Sequence, residues 1–149
     1  MIQHIKIEKE AKGYSLEMAW KNRIGTTIQH QEFNTDPQIL KYRAIIESRQ
    51  HIQLEMGSFL DEIGVRTKLL TANELKVYNA LVKIYLEIDQ GTDTHFEICR
   101  RIQDNTRFFI RVIPNVGTMR FELLERWRFI ESIINDELTH LDSKKWIYE

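Results

Sequence analysis

The chain has 149 residues, 42% of them hydrophobic and 29% charged, and its 21 basic and 22 acidic side chains leave a formal net charge of −1. That length suits one domain, residues 1–149, able to bury a core, while two Pro and six Gly exclude collagen-like and low-complexity chains. The single cysteine, Cys99, excludes an internal disulfide and a cysteine-rich zinc site.

Residues 1–33 read as a β-meander. Ile5-Lys6-Ile7-Glu8-Lys9-Glu10 alternates apolar and polar residues, the period of a half-buried strand. Lys6 and Glu8 also interrupt the apolar run that a secretory signal needs, and no stretch reaches the ~20 apolar residues of a membrane span. With one cysteine, the pattern points to a cytoplasmic protein without membrane contact. Ala11-Lys12-Gly13 follows as a turn, with Gly13 free to take a positive φ. Tyr14, Leu16, Met18 and Trp20 then share one face of a second strand, Lys21-Asn22-Arg23 makes a second turn, and Ile24 to Phe33 forms a third strand. Strands this close must connect as antiparallel hairpins, and so small a sheet needs a cover on its apolar face.

Residues 34–141 supply that cover as helices. Thr35-Asp36-Pro37 offers an N-cap oxygen followed by Pro at the first helical position. The helix it opens runs to Gly64 with a stripe of Tyr42, Ile45, Arg49, Ile52, Met56, Phe59 and Ile63. A charge at Arg49 in that stripe should pair with a carboxylate, set the register of a helix pair, or pack its stem and lead its head to water. Thr71-Ala-Asn-Glu74 has the form of a capping box and opens a second helix to about Asp89, apolar on most sides and expected to be the most buried, with Gly91 closing it. Between Asp93 and Ile113 the spacing of Phe96, Cys99, Ile102, Thr106, Phe109 and Ile113 favours helix, although Arg107 to Ile113 is rich in strand formers. A last helix runs from Thr118 to about Leu141, and residues 142–149 form a tail whose Trp146 folds back over the sheet or the helix ends. The expected fold is α+β: an N-terminal three-stranded antiparallel β-meander packed on a bundle of about four α-helices.

The feature that stands out chemically is a run of arginines. Residues 100–128 hold Arg100, Arg101, Arg107, Arg111, Arg120, Arg126 and Arg128 against Asp104, Glu122 and Glu125, and contain none of the chain's ten lysines. Arginine presents a planar fork that binds carboxylate or phosphate through two donors and stacks on flat rings. Three- and four-residue spacings also allow these arginines to pair with acids along helix faces as an ordinary solvated surface. Read functionally, the segment fits a non-enzymatic interaction module, such as a regulator, inhibitor or adaptor, that meets an acidic protein partner. The alternative is a nucleic-acid binder in which the same arginines hold phosphates and Phe108 or Phe109 stacks a base, against which the near-neutral charge weighs. The heptad-like first helix and the open edges of a small sheet make a homodimer a further expectation.

Enzyme chemistry has no positive support. Glu47, His51 and Glu55 lie four apart, and Glu137-Leu-Thr-His140 has the spacing of one half of a di-metal carboxylate motif, so a metal-dependent enzyme using Glu47, His51, Glu137 and His140 is a third reading. The second half of that motif is missing, and His95-Phe-Glu97 lacks the cysteine pair of a zinc deaminase. No phosphate-binding glycine loop and no nucleophile elbow occur, so no metal, cofactor or catalytic residue is assigned.

Overall fold

The computed structural model describes residues 2–88, 95–115, 117–142 and 146, and of Gln3 the backbone alone. Three strands, β1 (Ile2–Glu10), β2 (Gly13–Lys21) and β3 (Thr27–Asn34), form an antiparallel sheet in the order β1-β2-β3. Five helices follow: α1 (Pro37–Gly64), α2 (Ala72–Ile88), α3 (His95–Asp104), α4 (Thr106–Phe109) and α5 (Gly117–Asp136). Short 3-10 turns cover Thr67–Leu69 and Ile110–Val112, and α5 continues into a π turn, Glu137–Leu141. The architecture is α+β. Among the described residues no helix is long and apolar enough to cross a membrane.

The turns differ from the sequence reading in an instructive way. Gly13 does not take a positive φ. It is needed because a Cβ there would stand 2.8 Å from the Phe33 ring and 2.9 Å from the Asn34 carbonyl, so its bare backbone admits the end of β3. The second turn is longer than expected: the Asn22 side chain accepts from the Thr26 amide at 2.8 Å, Gly25 adopts φ 89°, and β3 begins at Thr27 rather than Ile24.

Both helix-start signals act as their chemistry requires. Asp36 accepts from the Gln38 amide at 2.9 Å, with Pro37 at the first helical position. Thr71 and Glu74 satisfy each other's backbone amides at 3.2 and 3.3 Å, which is the capping box.

Two apolar clusters form. Ile7, Leu16, Met18 and Trp20 of the sheet pack with Leu40, Ala44, Leu141 and Trp146, and a larger cluster joins the helices around Phe59, Leu81, Ile102 and Trp127. α1 belongs to both, and this moves its buried stripe. Its first half faces the sheet, burying Leu40, Ala44 and Ser48 and leaving Tyr42 53% exposed. α1 packs against α2, α5 and all three strands, whereas α2 leaves Leu75 and Leu86 exposed, so the expectation that α2 is the most buried helix fails. Residues 95–112 are helical, but the helix breaks at Asn105. Trp146 folds back as expected: its indole donates to the Leu141 carbonyl at 3.0 Å and its own carbonyl accepts from Ile7 of β1 at 3.0 Å. Gly91 and Asp93, and Lys144, Lys145 and Tyr148 of the tail, lie outside the described residues.

Candidate functional site

The arginines divide into two groups. Arg100 pairs with Asp142, Arg101 reaches Glu87 of α2 at 2.8 Å, and Arg126 lies 3.8 Å from Glu62 of α1. These contacts join α3 and α5 to other elements and are not the three- and four-residue pairs along one helix face that the sequence suggests. Arg120 is half-buried and donates to the Ile113 carbonyl at 2.9 Å, closing the turn that leads into α5. Arg107, Arg111 and Arg128 are exposed and have no ion pair or hydrogen bond to any described residue.

Arg111 and Arg120 come together. With Thr71, Asn73, Glu74 and Asn115 they line a cleft of about 360 Å³ between the start of α2 and the turn before α5. Glu74 accepts from the Thr71 amide and contributes one acid, and the unspent donors in the cleft are the Arg111 fork, the free edge of Arg120, the Thr71 hydroxyl and two side-chain amides. That is a donor-rich surface for a carboxylate or phosphate. Phe108 is 43% exposed beside Arg107, but Phe109 is 3% exposed and held by Phe108 at 5.6 Å and Trp127 at 6.3 Å. Burial therefore removes Phe109 as a ring that a base could stack on, and leaves Phe108 and, beside Arg120, the 63% exposed Phe121.

The residues of the metal reading separate. Glu47 lies 3.9 Å from His30, Glu55 lies 3.7 Å from Arg23, and His140 sits on the exposed side of the π turn. Among the described residues no three His, Cys, Asp or Glu side chains are arranged to hold a metal ion. Arg49 meets none of the expected arrangements in full: its Nε and one terminal nitrogen are buried without a hydrogen-bond partner.

Sequence reading missed a buried pair. His95 Nε2 lies 3.0 Å from Glu137 Oε2, with both side chains at 1% or less exposure, and Cys99 Sγ stands 3.9 Å from the same nitrogen. Burial pushes the Glu137 carboxyl above its ordinary range, with the His95 hydrogen bond opposing, and pushes the Cys99 thiol well up, so this thiol is a poor nucleophile. The residues lie 42 apart, which leaves no local signal to connect them.

His51 is the other buried imidazole, 6% exposed, 5.9 Å from the Trp20 ring and 6.2 Å from Phe129, with Nε2 unpartnered. Burial lowers its pKa from 6.5 to about 4. The unfolded chain therefore binds a proton more tightly than the folded one. Stability from this residue is complete above pH 6.5 and drains as the pH falls towards 4, by about 3 kcal/mol in all. Urea midpoints across this range should fall steeply for the natural chain and more shallowly for His51→Phe. Equal slopes would show that His51 does not carry the dependence.

Comparison with known proteins returns no matching family model, no matching curated protein and no matching solved structure.

Proposed function

We propose that this chain is a small non-enzymatic interaction module whose arginines at 107, 111, 120 and 128 receive carboxylates of an acidic protein partner. The observation that carries the reading is the division of the cluster. Arg100 and Arg101 are hydrogen-bonded to internal acids and Arg126 stands near Glu62, while Arg107, Arg111 and Arg128 are left without an acid, and Arg111 shares a donor-lined cleft with Arg120. Exposed guanidinium groups without internal partners cost little in water and are available to an incoming anion. The nucleic-acid reading is favoured by two exposed rings, Phe108 between Arg107 and Arg111 in the chain and Phe121 beside Arg120.

Fluorescence anisotropy separates the two. A labelled acidic peptide of Asp and Glu and a labelled single-stranded oligonucleotide would be titrated at about 50 and about 200 mM salt. The expected result is binding of the peptide, weakened roughly tenfold or more by Arg107→Ala with Arg111→Ala, with the thermal midpoint nearly unchanged because both side chains are exposed. Tighter binding of the oligonucleotide with a steep salt dependence would give the site to nucleic acid instead. A large fall in the thermal midpoint would make these arginines structural.

A further inference from the structure

The two edges of the sheet are built differently. β1 carries Lys6 and Lys9, its register shifts between Ile2 and His4, and its Ile7 amide is taken by the Trp146 carbonyl. Lysines, bulges and a covering segment are the devices by which sheets resist strand addition. Among the described residues β3 has no lysine, no bulge and no covering segment. Thr27-Ile-Gln-His-Gln-Glu-Phe-Asn34 contains no Lys, Arg, Pro or Gly, pairs with β2 without a register shift, and is the last strand of the sheet. Ile28 and Phe33 are 36% and 51% exposed, and Ile39 and Tyr42 of α1 remain exposed in the turn that precedes Arg43, which reaches Glu32 at 3.5 Å.

We propose that β3 is a dimerisation edge, to which β3 of a second copy adds antiparallel about a two-fold axis at Gln31, joining the two sheets into one. The occupant is argued from self-complementarity. Residues opposed in an antiparallel pair share a face, so the axis must pass through a residue and not between two. At Gln31 the axis sets His30 against Glu32 twice on the face towards α1, and Gln29 against Phe33 on the outer face. An axis at Glu32 would oppose two carboxylates, and one at His30 would set Ile28 against Glu32; both are poorer pairs. Within one chain His30 is loosely engaged, 3.7 Å from Glu32 and 3.9 Å from Glu47, and its Nε2 is buried without a hydrogen-bond partner. Such a closed, two-fold contact consumes both open edges and stops at two copies. It does not depend on the arginine surface.

Sedimentation equilibrium and site-specific cross-linking test the proposal. At about 100 μM the chain should sediment at twice its 17.9 kDa mass, and a monomer at that concentration would overturn the proposal. A residue on the axis lies ~4.5–5.5 Å from its own copy, within disulfide range. Gln31→Cys should therefore cross-link to itself under mild oxidation, while Gln29→Cys and Phe33→Cys should cross-link only when mixed. Cys99 is buried and gives no background. A dimer in which Gln31→Cys stays reduced, or in which Gln29→Cys links to itself, would refute the Gln31 register.

Discussion

Glu137→Ala is expected to cost about 2–4 kcal/mol of folding stability, from an unsatisfied buried imidazole and the cavity left behind, and Glu137→Gln about 1 kcal/mol or less. Both partners of the His95–Glu137 pair are out of solvent, so deleting the carboxyl strands the imidazole Nε2 in an apolar environment with no water to replace it. The imidazole cannot recover through its other nitrogen, because His95 Nδ1 is already buried without a partner. Glutamine keeps an acceptor at the same place. It should be well tolerated because burial already drives the Glu137 carboxyl towards its uncharged form. Urea denaturation of the two variants checks this directly. Equal losses in both would mean that the negative charge, rather than the hydrogen bond, holds the pair. The cost of Ala should be felt at both ends of the fold, since Glu137 opens the π turn whose last residue, Leu141, packs into the sheet cluster beside Trp146.

Signals carried by neighbouring residues were legible in the chain. The alternation in β1 and β2, the Asp36-Pro37 start and the Thr71–Glu74 box depend on partners within a few positions, and the structure realises each. The buried stripe of α1 was misread because one helix serves two neighbours: its first half turns Leu40 and Ala44 to the sheet while its second half turns Met56 and Phe59 to the other helices. A single period cannot encode that change of face. His95 and Glu137 were each read against a residue two or three positions away, whereas their contact is made across 42 residues by the packing of α3 on the end of α5. The arginine run was visible as composition. Which arginines are spent internally was not, because Arg100, Arg101 and Arg126 find Asp142, Glu87 and Glu62 only after the chain folds.

Trp127→Ala should also destabilise the fold by about 3–5 kcal/mol. Trp127 is fully buried in the helical core, 5.4 Å from the Phe59 ring and 6.3 Å from Phe109. Trp127→Phe separates packing from hydrogen bonding. The indole Nε1 donates to Thr106 Oγ1 at 2.8 Å, and that hydroxyl donates on to Glu131 at 2.8 Å. Thr106 is the first residue of α4, one position before Arg107, so this relay ties the short helical turns carrying Arg107 and Arg111 to the core. Phenylalanine fills much of the volume but cannot donate, and its cost should be nearer 1–2 kcal/mol. Amides of residues 107–112 should then exchange about tenfold faster relative to those of α1, a local loosening of roughly 1.4 kcal/mol. Binding of an acidic peptide should weaken with it, since a looser segment must be ordered on contact. Faster exchange spread evenly over the whole chain would mean instead that the indole only fills space.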